Sequence, residues 1–402
     1  MKVLIVAQYL DNIQDPQTYN SRFLTVADRL LENGHDVQIV TTDFIHSIKQ
    51  HVTDVTAYKT ASVTLLHEPG YPKNVCLQRF KSHYLLSKQL KAWLKTIEKP
   101  DVIYCAVPSL DFAYEAAKYA RKAGVRFVLD IQDLWPEAFE MVLNIPIVGS
   151  LCFLPLRLRA NAVYRAADHL LAVSNTYIDR ATTVNKKASS GAVFLGTDVT
   201  RFDSFRESDP VLSKEDNAVW LGYAGTLGHS YDLKTVMQAM AMINDHPRYA
   251  DLRLIVMGDG PLREEFERFA ADCVPDHAVF TGKLPYPQMV ATLCRCDIAV
   301  NPIRKRSAGS IINKHGDYAA AGIPVINTQE SPEYRALVEQ YQMGINAECE
   351  NAAEVAAALK TLLDDPQTAI AMGERAAQCA RELFARETTY VRIVDAIECQ
   401  EG

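Results

Sequence analysis

Residues 101–131, DVIYCAVPSLDFAYEAAKYARKAGVRFVLDI, hold a strand, a helix and a second strand in one run. DVIYCAV and RFVLDI are short apolar runs of the kind buried on both faces of a parallel sheet. Between them FAYEAAKYARKAG has amphipathic helical spacing and stops at Gly124. Strands joined through helices of this length imply parallel βαβ units. The alternation extends outward in both directions. Upstream, VLIVAQY, the helical SRFLTVADRLLENG ending at Gly34, and HDVQIVTT repeat it, with His35 read as a strand-entry residue. Downstream it restarts at VWLGYAG, with a helix from about Tyr231 to Ile243, LRLIVMG, the helix LREEFERFAADC, then AVFTG, DIAVNP and PVINT. The fold class is α/β, with two doubly wound, Rossmann-like domains facing across a cleft. RFDSFRESDPVLSKEDN (201–217) is polar, charged and broken by proline, and reads as the linker. The expected domains are 1–205 and 206–380. A C-terminal helical segment, 381–402, belongs to a last helix over roughly Ala369–Glu398, able to pack back on either domain and assigned to the first.

The 402 residues, 48% hydrophobic and 23% charged, suit ordinary globular domains. MKVLIVAQYL has no small-residue cleavage site and is too short to span a bilayer, so it reads as a first strand. No uncharged apolar run approaches the ~18 residues of a spanning helix. The nine scattered cysteines, with Cys294 and Cys296 an isolated C-x-C, suit free thiols, which points to the cytoplasm. Net charge is −7, but residues up to 205 carry 23 Lys and Arg against 20 Asp and Glu, and the rest 19 against 29. An acidic chain is a poor nucleic-acid binder, while the basic half suits an anionic membrane surface or a phosphorylated acceptor. From Gln78 to Lys99 there are six basic residues and one acidic, with Leu86, Leu90, Trp93, Leu94 and Ile97 on one stripe. That helix can lie in a membrane interface, at the inner face of the plasma membrane, or turn its stripe to the core. Leu143–Leu158, interrupted by two prolines and a glycine, is a monotopic contact or a covered lid.

Candidate chemistry concentrates in the second domain. In LGYAGTLGHSYDL, Gly225 and Gly228 allow close backbone approach, and Ser230 or Asp232 can cap the following helix, whose free amides suit a diphosphate. A plain tight turn is the competing reading. Gly258-Asp259-Gly260-Pro261 is a second strand-to-helix turn, with Pro261 suited to the first helical position. Gly309–Pro324, GSIINKHGDYAAAGIP, is the most informative stretch: a polar loop with Ser310, then Lys314 and Asp317 three apart on one helix face. A lysine there can meet a diphosphate and a carboxylate can hold ribose hydroxyls. An i,i+3 salt bridge is the bland alternative.

The pieces MKVLIVAQY, NGHDVQIVT, KPDVIYCAVP, DIQDLWPE, ADHLLAVSNTY, YAGTLG, LRLIVMGDGPL, VFTGKLPYPQM, CDIAVNP and Lys314–Val325 stand in an order that resembles the family 4 retaining glycosyltransferases of GT-B fold. DLWPE with GSIINKHGDYAAAGIPV is similar to the branch that builds capsule, O-antigen and exopolysaccharide units. The resemblance implies transfer of a hexosyl or N-acetylhexosaminyl group from a nucleoside-diphosphate sugar, with a leaning to UDP, to a lipid-linked or saccharide acceptor. It implies no bound metal and no further cofactor. Backbone near Lys283 and Leu284 would hold the base, Asp317 the ribose, and Lys314 the diphosphate or the sugar. The family's first acidic residue falls at Gly309, and its Arg and Lys fall at Thr226 and Tyr231; Lys314 or Arg304-Lys305-Arg306 can replace that charge, with a solvated loop the competing reading of the cluster. In the first domain Gln132 stands where relatives carry histidine. Asp133 is expected to orient the acceptor hydroxyl or a neighbouring side chain, Asp130 to belong to the strand end, and Trp135 and Pro136 to wall the pocket. In the loop after the first strand, DNIQDPQTYNSRF, Asn20 and Arg22 are candidate acceptor contacts, with Arg22 equally readable as a surface residue at a helix start. Two other readings remain: a sugar-nucleotide epimerase or hydrolase of the same fold, and a non-catalytic nucleotide-sugar-binding assembly partner.

Overall fold

A computed structural model describes residues 1–10, 13, 21–74, 76–137, 153–244, 249–307 and 310–398. Asn20 and Gly309 lie outside them, as does most of Leu143–Leu158. The chain divides into two compact units, Met1–Phe194 with Tyr390–Gly402, and Leu195–Thr389.

The first unit contains β1 (Lys2–Val6), β2 (Asp36–Thr42), β3 (Phe44–Ile45), β4 (Gln50–His51), β5 (Ala57–Tyr58), β6 (Ala61–Leu66), β7 (Val102–Val107), β8 (Arg126–Ile131), β9 (His169–Ala172) and β10 (Ser189–Ala192). Its main sheet runs β10-β9-β8-β7-β1-β2-β6-β5, parallel except for the β5–β6 edge, while β3 and β4 form a separate hairpin. β1 lies between β2 and β7, so the direction of winding reverses there. Ile5, Ile39, Tyr104 and Val128 are fully buried in its core. The helix Leu77–Trp93 buries Leu86 and Leu90, followed by Leu94, and packs on the helix Leu110–Ala123. Leu86, Leu90 and Leu94 of its stripe are therefore spent on the core, and among the large hydrophobic residues of that helix Leu77, Tyr84 and Leu85 are exposed.

Two expected boundaries move. The first unit ends at Phe194, not at 205, because much of the supposed linker is built structure. Asp198 caps the helix Val199–Phe205 by accepting from Arg201 N (2.9 Å). Arg206 donates to the Ala320 and Ala321 carbonyls (2.8 and 3.3 Å), capping the far end of the helix Asn313–Ala321. The expected last helix is likewise broken into Pro366–Cys379, a π turn at Ala380–Phe384, Arg386–Thr389 and Val391–Glu398. Only the final piece joins the first unit, where Ile393 and Ile397 enter the core and Glu398 pairs with His35 (2.7 Å).

The second unit contains β11 (Val219–Ala224), β12 (Leu252–Met257), β13 (Ala278–Gly282), β14 (Ile298–Asn301), β15 (Val325–Asn327) and β16 (Gly344–Asn346). All neighbours are parallel, in the order β13-β12-β11-β14-β15-β16. Leu221, Leu254, Val256 and Val300 are buried, at roughly 1.5–3 kcal/mol for each such side chain. The winding reverses between β11 and β14, which puts the expected ligand crevice beyond their carboxyl ends.

Candidate functional site

The turn after β11 is shaped by two glycines that no other residue could replace in place. Gly225 has φ 147°, and a Cβ on it would stand 3.4 Å from Lys314 Nζ. A Cβ on Gly258, after β12, would stand 1.8 Å from the Gly225 carbonyl oxygen. The turns after β11 and β12 therefore pack backbone to backbone, with Gly225 N donating to Met257 O (3.0 Å) and Leu227 N to Asp259 O (2.9 Å). Asp232, not Ser230, caps the helix Leu233–Asn244, accepting from Thr235 N (3.3 Å) and Thr235 Oγ1 (2.6 Å). The Ser230 carbonyl instead accepts from Arg304 N (3.0 Å). Pro261 precedes rather than opens its helix, which starts at Arg263.

Lys314 reaches this turn from the first part of the helix Asn313–Ala321. Its Nζ lies 4.2 Å from the ring centroid of Tyr223 and 4.0 Å from that of Tyr231. The side chain is buried and its Nζ has no hydrogen-bond partner. Burial pushes its pKa well below the ordinary lysine value. The expected i,i+3 salt bridge to Asp317 is not made. Two aromatic faces stabilise an ammonium by about 0.5–2 kcal/mol each, too little to offset loss of water. Among the described residues, Lys314 is thus a buried amine without a partner, set on a glycine turn beside a winding reversal.

Asp317 points elsewhere on the same helix. Its Oδ1 accepts from Thr197 Oγ1 (2.8 Å) and Tyr286 Oη (3.2 Å). Burial raises its pKa, opposed by those two hydrogen bonds. Beneath the helix runs a ladder of side-chain amides at the ends of three adjacent strands. Asn301 donates to Asn327 (2.8 Å), and Asn327 donates to Asn346 (2.8 Å). Asn301 Nδ2 also lies 3.1 Å from Nε2 of His315, whose ring is stacked on Tyr334 at 3.4 Å. Gln329 ties in the loop by donating to the Ser310 carbonyl (2.7 Å). The ladder fixes both the loop before Lys314 and the first turn that carries it.

The other expected donor contacts divide. Arg304 is half-buried with an unpartnered Nε, whereas Lys305 and Arg306 are exposed and the Arg306 amide is held by Glu330 (2.8 Å). Thr226 is exposed and offers its carbonyl to Tyr223 Oη (2.7 Å), and Gly228 accepts from Tyr231 N (3.0 Å). Lys283 is exposed and Leu284 half-buried in the loop after β13. Tyr223, Tyr231, Asn301, Asn327 and Gln329 are additions to the expected set. The signal for the asparagines is visible afterwards in DIAVNP, PVINT and GIN, each ending its strand on asparagine.

In the first unit Gln132 and Asp133 follow β8. The Gln132 Nε2 is buried without a partner, a donor available to a ligand. Asp133 accepts from Trp135 Nε1 (3.2 Å), and burial raises its pKa. Trp135 is buried and stacks on His83, with the Arg79 guanidinium 4.7 Å from its ring centroid. Arg22 is not an acceptor contact. It is buried and donates through Nε (2.7 Å) and Nη2 (3.1 Å) to Asp130, and through Nη1 to the Val193 and Phe194 carbonyls. Asp130 is thus a structural anchor inside β8, bonded also by Tyr104. Among the described residues seven cysteines are free, and no helix is long and apolar enough to cross a membrane.

Comparison with known proteins agrees with this layout. The family described as "Glycosyltransferase Family 4" matches residues 20–187, and "Glycosyl transferases group 1" matches residues 218–365. A GDP-mannose-dependent alpha-(1-6)-phosphatidylinositol monomannoside mannosyltransferase of Mycobacterium tuberculosis is 30% identical over 149 residues, 35% of this chain and 38% of that protein. A D-inositol 3-phosphate glycosyltransferase of Pseudarthrobacter chlorophenolicus is 28% identical over 160 residues, 39% of this chain and 37% of its own length. The matched stretches thus span well under half of these relatives. Among solved structures, Anabaena HepE in complex with UDP has a TM-score of 0.69 at 16% identity, covering 99% of this chain and all of that one. Sucrose-phosphate synthase from Thermosynechococcus elongatus has a TM-score of 0.75 at 14% identity, covering 100% and 99%. These likenesses establish the GT-B fold, and with a family match on each of its two Rossmann-like units the chain belongs to glycosyltransferase family 4.

Proposed function

We propose that the chain is a retaining glycosyltransferase that moves a hexosyl or N-acetylhexosaminyl group from a nucleoside-diphosphate sugar to a hydroxyl of a lipid-linked or saccharide acceptor. The observation that carries this reading is the buried, unpaired Lys314 ammonium against the Gly225 turn. A departing diphosphate gains negative charge on the oxygen that leaves the sugar. Lys314, the free amides that open the helix Leu233–Asn244, and Arg304 supply positive potential there in a water-poor site. Asp317 Oδ2 takes a ribose hydroxyl, and the backbone at Lys283 and Leu284 borders the base. On the acceptor side Asp133 orients the attacking hydroxyl and Gln132 donates to the sugar. The reading assigns the leaving-group charge to these side chains and amides, without a metal.

Two donors compete. The sequence resemblance leans to UDP, whereas the Mycobacterium tuberculosis relative is named as GDP-mannose-dependent. The acceptor is assigned to surface polysaccharide or glycolipid synthesis, at the inner face of the plasma membrane, with exposed Leu77, Tyr84 and Leu85 available for peripheral contact. The test is to incubate the chain with UDP-glucose, UDP-N-acetylglucosamine or GDP-mannose, with and without a membrane lipid extract, and follow products by mass spectrometry. Sugar transfer that needs the extract supports the proposal. Product from donor alone favours an epimerase or hydrolase, and nucleotide binding without any product favours an assembly partner.

A further inference from the structure

We infer that Asp43, His51 and His67 form a binding site for a divalent transition metal, with Zn²⁺ the best fit. One ligand atom from each lies within 4.8 Å of the other two. His67 Nδ1 stands 2.8 Å from Asp43 Oδ2, and His51 Nε2 stands 3.9 Å from Asp43 Oδ1. Three ligands about 2.1 Å from a tetrahedral centre are about 3.4 Å apart, a separation that these two distances bracket. The imidazoles are nearly parallel, 5.3 Å apart at 23°, so both face the same carboxylate.

The backbone holds the three in place. Asp43 lies between β2 and β3, His51 is in β4, and His67 directly follows β6. Phe44 pairs with His51 across the hairpin, Asp43 N donates to Leu66 O (3.0 Å), and Val52 N donates to Asp43 O (2.8 Å). Glu68 N donates to Asp43 Oδ1 (2.8 Å), a second-layer bond of the kind that orients a metal-binding carboxylate. His51 at present bonds the Glu68 carbonyl (2.7 Å) and needs a small rotation to share the ion. The histidine side chains are 39% and 63% exposed, so an ion can enter from solvent, while Asp43 is largely covered at 18%. Two imidazoles and a carboxylate are the ligand set of an open Zn²⁺ site, with the fourth position left for water. His51 also lines an open groove of about 750 Å³ with Lys49, Tyr71 and Lys81, so a bound ion stands at its lip and ties the β3–β4 hairpin to the end of β6. The site is remote in sequence from the donor residues and serves the hairpin rather than the transfer.

The full chain, stripped with a chelator, is titrated with Co²⁺ and then Zn²⁺. The expected result is one equivalent bound with micromolar affinity, weak ligand-field absorption without a thiolate charge-transfer band, and a Tm that rises with Zn²⁺ concentration. His51→Gln with His67→Gln should weaken binding at least tenfold. H67Q alone, at the most exposed position, should do the same if the double variant does not fold. No binding below millimolar metal, binding unchanged in the variants, or a strong thiolate band would each overturn the site and leave His67–Asp43 as a surface ion pair.

Discussion

The Lys314 ammonium lies 4.0 Å from the ring centroid of Tyr231 and makes no hydrogen bond. A buried amine without an acceptor destabilises the empty protein, and a bound diphosphate supplies the missing partner. Lys314→Met should therefore stabilise the nucleotide-free chain, on the order of 1–3 kcal/mol by denaturant unfolding, while lowering turnover at least a hundredfold. Burial has pushed the lysine pKa down, and a diphosphate favours the charged form. Nucleotide affinity should thus fall as pH rises on the alkaline side, with proton uptake seen calorimetrically in buffers of different ionisation enthalpy. Loss of stability in Lys314→Met, or unchanged turnover, would remove the lysine from the donor site.

Asn327 stands in the middle of the amide ladder, accepting from Asn301 and donating to Asn346. Asn327→Leu leaves both neighbours with unmet groups, at about 1–3 kcal/mol each. Because Asn327 also bonds Gln329, which holds the Ser310 carbonyl, the loop before Lys314 loosens. The expected outcome is a lower Tm together with a donor KM raised severalfold more than kcat falls. An unchanged donor KM would make the ladder purely structural.

Sequence patterning exposed the parallel strands of both sheets because strands buried on both faces read as apolar runs, as in VIYCAV and LRLIVM, whereas their order, and so the winding reversals, came from the fold. Lys314 was legible for a different reason: a charged residue in a helix of alanines and glycine stands out. The aromatic cage around it was not, since Tyr223 ends a strand and Tyr231 follows a turn, and only the fold brings them to the same ammonium. Arg22 misled for the converse reason. Position in a first-strand loop suggested a ligand, but its partner Asp130 is 108 residues away, a separation that no local pattern encodes. The linker failed similarly: a polar, proline-bearing segment looks unstructured until Arg206 finds the carbonyls of Ala320 and Ala321.

The Arg22–Asp130 pair gives a clean separation of stability from function. Both side chains are buried, so removing one charge leaves the other uncompensated. Asp130→Asn should cost about 3–5 kcal/mol of stability in the first unit. Turnover per folded molecule, measured well below the lowered Tm, should change less than threefold. A hundredfold loss in the folded variant would instead place Asp130 in the acceptor site.

His83 sets an acid limit on the same unit. Its ring is stacked on Trp135 and its Nε2 lies 3.1 Å from Tyr9 Oη. Burial, with Arg79 and His46 adding like charge, pushes its pKa from 6.5 down to about 3. Glu68 lies 3.8 Å away, and burial raises its own pKa. Between about pH 3 and 6.5 the unfolded chain binds this proton and the folded chain does not. Stability is then fully present above pH 6.5 and is lost as pH falls, at about 1.4 kcal/mol per unit for one proton. His83→Phe keeps the stacking and removes the titration. Whatever its effect at pH 7.5, it should make unfolding free energy fall less steeply between pH 6.5 and 4.5, by about that one proton. Parallel pH curves for the two proteins would show that the His83 pKa is the same folded and unfolded, and that another group sets the limit.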